Sequence, residues 1–159
     1  MLLTLVTAGW ASSDLHALDA RGAEVAFLDL SSWRTAATLT IDGIAYAMRK
    51  DDYDGALIVA GPDGVPVAQA VKPSIWKSDY DLEWTGGGRG RLTRTSSWRG
   101  TFTVAQDDGR PFVEVARRGV WRSRLEVTAG DDAPLPVVLF IAALVAFILR
   151  SEQAAAAGG

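Results

Sequence analysis

The chain has 159 residues, no cysteine, one histidine and a formal net charge of −3. A chain of this length forms about one domain and can bury about 70% of the surface that its unfolded form exposes. Disulfides and thiol catalysis are excluded, and zinc or iron sites lack their usual Cys and His ligands. We therefore expect no catalytic residues, no metal and no cofactor, and only an all-oxygen cation site stays open.

In chain order, the sequence predicts strands separated by tight turns. Met1 to Val6 lacks a basic segment and is too short for a secretory core, so it predicts a strand rather than a signal peptide, and the chain is expected to be cytoplasmic. Asp63-Gly64 and Asp108-Gly109 indicate hairpin turns, because glycine accepts the positive φ that such turns require. The clearest alternation runs from Trp76 to Trp84, where one face collects Trp76, Ser78, Tyr80, Leu82 and Trp84.

An internal repeat organises these strands. Residues 56–82 match residues 101–127 without gaps at an offset of 45, and a fainter third copy begins near Leu15. The identical pairs include Val59 with Val104, Asp63 with Asp108, Gly64 with Gly109, Trp76 with Trp121 and Ser78 with Ser123. Periods of this length are typical of stacked or radially arranged units. Three copies of four strands predict about twelve strands.

The last predicted element is an apolar helix over residues 134–152, followed by a disordered tail over 153–159. Thirteen consecutive apolar residues run from Val137 to Leu149. A helix that is hydrophobic all round must be enclosed by lipid or by protein. A membrane span needs about 20 apolar residues, so the shorter stretch from Leu135 to Leu149 favours a buried core helix, with a tail anchor as the alternative.

Together these elements predict a mainly β fold, in which a closed antiparallel barrel of about twelve strands encloses one C-terminal hydrophobic α-helix. Barrel diameter grows with strand number, so twelve strands leave room for a helix along the axis. Residues 1–152 would form this single domain. The repeated Asp-Gly hairpins, the Trp-basic strand starts and the final apolar helix resemble the tubby C-terminal-like superfamily, which includes phospholipid scramblases and LURP-one-related proteins. That resemblance implies a barrel around a central helix, with roles in membrane-lipid binding or signalling and no agreed catalytic machinery.

The strongest candidate for binding is a basic block in the middle of the chain. Residues 86–124 carry nine arginines against three acidic residues, whereas the chain as a whole is acidic. Guanidinium groups pair with phosphate through two hydrogen bonds, which makes arginine the preferred residue for phosphate recognition. The candidate binding residues are Arg89, Arg91, Arg117, Arg118, Arg122 and Arg124.

Three other features carry weaker signals. Asp51, Asp52 and Asp54 precede Gly55, but the spacing of an EF-hand is absent, so we expect a solvated turn. Residues 86–91 contain several glycines between two predicted strands, so we expect a flexible connector rather than a phosphate loop. His16 has no identifiable nucleophile and is expected to be structural or exposed.

Two functions remain as hypotheses from these observations. The first is a non-enzymatic, monomeric binding or scaffold domain whose Arg-rich face meets an anionic lipid or membrane surface, or another phosphate-bearing partner; no nucleic-acid partner is expected. The alternative is a tail-anchored membrane protein with a cytoplasmic β-domain. A small-molecule enzyme would depend on carboxylates alone, and the sequence brings no pair of them together.

Overall fold

The computed structural model describes residues 1–8, 13–30, 36–51, 53–73, 79–96, 100–119 and 124–158. These residues form twelve strands followed by one helix. The strands are β1 (Leu2–Thr7), β2 (Leu15–Leu18), β3 (Glu24–Asp29), β4 (Ala36–Ile41), β5 (Ile44–Lys50), β6 (Leu57–Ala60), β7 (Pro66–Val71), β8 (Tyr80–Trp84), β9 (Gly88–Ser96), β10 (Thr101–Gln106), β11 (Pro111–Arg118) and β12 (Arg124–Ala129), and the helix is α1 (Leu135–Gly158).

The twelve strands close into one antiparallel barrel. Each strand pairs with its neighbours in sequence, and β1 also pairs with β12, with Leu3 opposite Val127. Burial alternates along the strands because successive side chains point to opposite faces. In β1, for example, Leu3 and Leu5 are buried while their neighbours are not. The predicted barrel, strand number and C-terminal helix are confirmed.

The internal repeat is visible as a repeated irregularity in the sheet. The register shifts between Ala17 and Leu18 in β2, between Val59 and Ala60 in β6, and between Val104 and Ala105 in β10. Each shift lies in the second strand of a four-strand copy, just before a turn that contains a glycine. A bulge of this kind bends a strand and increases its twist, which helps a sheet to close. The faint first copy therefore shares the geometry of the other two.

Helix α1 fills the lumen of the barrel. Every residue from Val137 to Ala146 is buried, and Phe140 and Leu144 have no exposed surface. Among the described residues it is the one helix whose length and composition would also allow it to cross a membrane. Its apolar surface is instead covered on all sides by strands.

The helix also extends past its predicted end at residue 152. It continues through Gly158, so residues 153–158 are helical where we expected a disordered tail. Residues 151–158 are exposed, although Glu152 among them is bound by Arg94 of β9. The physical reason is composition, because the run Ala154 to Ala157 has the highest intrinsic helix propensity and extends a helix that packing has already nucleated.

The barrel has two unlike ends, which we name by their relation to α1. At the lower end the even-numbered strands end and α1 begins. At the upper end the odd-numbered strands end and the C-terminal turns of α1 leave the lumen, where Arg150 bonds the carbonyl oxygen of Ser13.

The prediction of a flexible connector over residues 86–91 is wrong for residues 88–91, which belong to a strand. Strand β9 begins at Gly88, directly opposite Trp84 in β8. A Cβ atom on Gly88 would lie 1.9 Å from Nε1 of Trp84, and one on Gly90 would lie 2.6 Å from the carbonyl oxygen of Ala105. The glycines are therefore part of the sheet, and they make room for an indole ring that lies flat across them. Trp84 also stacks on Phe112, with 4.3 Å between ring centroids.

Candidate anion-binding surface

The structure separates the six candidate arginines into two groups. Arg89 and Arg91 lie on the outer face of β9 toward the lower end, and both are ion-paired with β8. Arg89 is 3.2 Å from Glu83, and Nε of Arg91 donates to Asp81 at 2.9 Å. Their charges are thus largely balanced by carboxylates on the neighbouring strand.

The second group lies at the upper end, where the hairpin of β11 and β12 turns. Arg118 and Arg124 are direct partners across the two strands, and Arg117 is opposite Leu125. We call Arg117, Arg118 and Arg124 the hairpin cluster. Arg122, the sixth candidate, lies outside the described residues.

The positive charge of the hairpin cluster is only partly balanced by carboxylates. Glu126 is 3.6 Å from Arg118, but within the described parts of the chain no carboxylate lies within ion-pair distance of Arg117 or Arg124. Like charges placed directly opposite each other on neighbouring strands destabilise a sheet. The facing pair Arg118 and Arg124 is therefore an unfavourable feature of the protein alone, which an anion would relieve.

Arg117 is held in place by its packing. It continues the inward-facing series Val113 and Val115, but at the mouth of the barrel its side chain reaches solvent. A Cβ atom on Gly100 would lie 3.4 Å from Cβ of Arg117 and 3.8 Å from Cδ2 of Leu149 in α1. The stem of Arg117 therefore lies against the backbone of Gly100 beside the helix, although the residue as a whole is exposed.

The repeat supplies an internal comparison for this cluster. At the offset of 45 residues, Arg117, Arg118 and Arg124 correspond to Lys72, Pro73 and Asp79. The second copy thus places one cation and one carboxylate where the third copy places three cations. The scaffold is the same, so the concentration of positive charge belongs to the third copy and not to the fold.

Two further arginines at the upper end hold the helix in the barrel. Arg94 donates to both carboxylate oxygens of Glu152 at 2.6 and 2.7 Å, and its guanidinium carbon lies 4.8 Å from the centre of the Phe102 ring. Burial lowers the pKa of the Arg150 guanidinium from its usual value, and the nearby charge of Asp14 opposes that shift. The sequence analysis did not single out Arg94. The signal that could have identified it is the alternation in β9, which puts it on the same inward face as Leu92.

The lower end carries the opposite sign of charge. Its described cations other than Arg21 are paired: for example, Nε of Arg110 lies 2.6 Å from Asp108, and the N-terminal ammonium of Met1 lies 3.1 Å from Asp131. Hydrogen bonds from the backbone and side chain of Arg110 lower the pKa of Asp108. Within the described residues, the lower-end carboxylates without a cationic partner are Asp19, Asp42, Asp63, Asp107 and Asp132.

The remaining candidates have local structural partners. Oδ1 of Asp51 accepts the amide hydrogen of Tyr53 at 2.8 Å, and Oδ1 of Asp54 accepts that of Ala56 at 2.9 Å, as in turns closed by aspartate. Asp52 lies outside the described residues. His16 bonds Glu24 and packs on the ring of Phe27. In the part of the chain that the structure describes, no three His, Asp or Glu residues are grouped to hold a metal ion.

Comparison of the chain with models of protein families, with curated proteins and with solved structures gives no match. The resemblance to the tubby C-terminal-like superfamily therefore stays a prediction. What stands from the structure itself is a closed barrel around an apolar helix, with an unbalanced cluster of arginines at one end.

Proposed function

We propose that the protein is a cytoplasmic, non-enzymatic binding domain that recognises anionic phospholipid headgroups through the hairpin cluster. The observation that carries this proposal is the facing pair Arg118 and Arg124, beside Arg117, with one carboxylate near three guanidinium groups. Phosphate oxygens accept the paired N–H donors of a guanidinium group, and arginine remains charged at all physiological pH values. A headgroup phosphate between Arg118 and Arg124 would remove their mutual repulsion.

The ion pairs of the structure favour some of the six candidate arginines over others as ligands for a phosphate. Arg89 lies beside Glu83, and Arg91 donates to Asp81. A phosphate at either arginine would therefore have to compete with a carboxylate of the protein itself. Arg117 and Arg124 face no such competition within the described residues. We therefore assign headgroup binding to the hairpin cluster and not to the arginines of β9.

Co-sedimentation with vesicles tests this assignment. The protein is mixed with phosphatidylcholine vesicles with or without phosphatidylserine, at low and physiological salt. Each cation near an anionic surface contributes about a fivefold gain in partitioning, so the double variant Arg117→Gln/Arg124→Gln should bind about thirtyfold more weakly. Higher salt should weaken wild-type binding because it screens these charges.

The matched control is Arg89→Gln/Arg91→Gln, which removes the same number of charges from ion-paired positions. It should bind like the wild type, with its fold checked by circular dichroism. Absence of wild-type binding to anionic vesicles at low salt would refute the proposal. Equal loss in both double variants would show a non-specific charge effect. Binding that soluble inorganic phosphate abolishes would indicate a phosphate ligand rather than a lipid surface.

The alternative hypothesis, a tail anchor, needs the same helix outside the barrel. Every residue from Val137 to Ala146 is buried, which covers all sides of α1 and favours the core role. Carbonate extraction of membranes separates the two functions, because an anchored protein stays in the pellet while a headgroup-binding protein is released.

A further inference from the structure

We propose that the protein docks on anionic membranes end-on, with the upper end of the barrel toward the bilayer and the barrel axis along the membrane normal. This inference rests on the proposed function and adds an orientation to it. It follows from how charge is distributed around and along the barrel, and not from the hairpin cluster alone.

Unpaired cations lie on opposite sides of the upper mouth. Arg49 and Lys50 end β5, and in the described residues neither has an ion-pair partner. Strand β5 is six strands away from β11 in the twelve-stranded barrel, which is half way around it. Lys72, which follows β7, lies between these two positions around the rim. A membrane that touched only the wall of the barrel could meet one of these groups but not all of them.

The lower end would be repelled by the same membrane. Its unpaired groups are mainly carboxylates, among them Asp42, Asp63 and Asp107, and its described cations other than Arg21 are paired. The described upper end also carries carboxylates, among them Asp51, Asp54 and Asp79, but it has more described cations without an ion-pair partner than the lower end, where Arg21 alone lacks one. The electrostatic field along the barrel axis thus favours approach of the upper end to an anionic membrane.

Aromatic residues point to the same end. Tyr53, in the turn between β5 and β6, is 97% exposed. Tryptophan and tyrosine prefer the interface between water and lipid, where an amphipathic ring contacts headgroups. Trp84, in contrast, is at the lower end and stacks on Phe112.

The absence of cysteine from the sequence allows a reporter of this orientation to be attached at a chosen position. Tyr53 in an upper-end turn is 97% exposed and Val65 in a lower-end turn is 56% exposed, so either residue can be replaced by cysteine and labelled. End-on docking would bring a label at Tyr53→Cys to the membrane surface and keep a label at Val65→Cys away from it.

The decisive experiment compares variants on opposite sides of the rim. Partitioning onto phosphatidylcholine vesicles that contain phosphatidylserine is measured for wild type, Arg117→Gln/Arg124→Gln, Arg49→Gln/Lys50→Gln and the lower-end control Arg21→Gln. End-on docking predicts about a thirtyfold loss for each upper-end pair and none for Arg21→Gln. Intact folding of every variant is checked by its midpoint of unfolding in urea.

A second measurement attaches the fluorophore NBD to the single cysteine of Tyr53→Cys or Val65→Cys and uses vesicles that contain spin-labelled phospholipids, which quench NBD at the membrane. On binding, the label at Tyr53→Cys should be quenched, whereas the label at Val65→Cys should keep its intensity, because position 65 would be far from the bilayer. If the hairpin variant loses binding while Arg49→Gln/Lys50→Gln binds like the wild type, the orientation is wrong although the proposed function stands. If the wild type does not bind these vesicles at all, both proposals are refuted.

Discussion

The two ends of the barrel are closed by different kinds of interaction. At the lower end an indole ring lies on glycine backbone and stacks on Phe112, and the N-terminal ammonium donates to the carbonyl oxygen of Ala129. At the upper end the contacts with α1 are charged, with Arg94 on Glu152 and Arg150 on the Ser13 carbonyl. Apolar packing therefore dominates the lower end, whereas hydrogen bonds and an ion pair of guanidinium groups with α1 dominate the upper end.

This difference shows how one fold can separate stability from binding. At the lower end the packing of Trp84 on Phe112 and on glycine backbone contributes to stability and takes no part in the proposed headgroup binding. A rim of partly paired arginines is less stabilising, because exposed ion pairs contribute little and facing like charges cost stability.

The largest effect should come from the element that joins both ends. Leu144 of α1 has no exposed surface, and Leu144→Ala should lower the free energy of unfolding by about 3–5 kcal/mol through lost transfer energy and a cavity. Urea denaturation followed by circular dichroism measures this change. The control is Val65→Ala at the lower end, which is 56% exposed and should change stability by less than about 0.5 kcal/mol.

A truncated chain tests the same dependence in another way. A chain that ends at Asp132 should be insoluble or lack fixed tertiary packing, because the apolar lumen would open to water. A soluble, monomeric and cooperatively unfolding protein of residues 1–132 would show that the barrel does not need the helix. The contacts of the two ends with α1 would then contribute nothing essential to the fold.

A glycine in the lower end should give the second largest effect. Gly90→Ala adds a methyl group 2.6 Å from the carbonyl oxygen of Ala105, so backbone must shift, and we expect a cost of about 1–3 kcal/mol in urea unfolding. In the control Gly61→Ala, at the same end, the nearest atom is Oδ1 of Asp63 at 3.2 Å, an exposed side-chain atom that needs to move by only a few tenths of an ångström while it keeps its bond from the Val65 amide. Similar stabilities for the two variants would mean that the close packing beneath Trp84 is dispensable.

The smallest effect is expected at the upper end. A double-mutant cycle with Arg94→Gln and Glu152→Gln should give a coupling energy of about 0.5–1 kcal/mol, because Glu152 is partly exposed and solvent screens the pair. The coupling should shrink at high salt. A coupling as large as the cost of Gly90→Ala would mean that charge and apolar packing close the two ends equally well.

The sequence was sufficient for the architecture because the relevant signals are local. Alternation from Trp76 to Trp84 placed Tyr80, Leu82 and Trp84 on one face, and of these Leu82 is buried while the other two pack against the core. The continuous apolar run from Val137 predicted a helix that must be enclosed, and the barrel encloses it. The connector over residues 86–91 was misjudged because glycine alone indicates flexibility, whereas an overlying ring from another strand gives it a place in the sheet.

The candidate site shows what the sequence by itself determined and what only the tertiary structure decided. The order of residues determined that arginines concentrate between residues 86 and 124 and that the chain repeats. Which arginines keep an unbalanced charge depends on strand register, because register sets Arg91 opposite Asp81 but Arg118 opposite Arg124. The opposite positions of Arg49 and Arg117 on the rim depend on closure of the barrel. Cross-strand partners are distant in sequence, so their pairing follows from the fold, while alternation and apolarity are properties of each segment on its own.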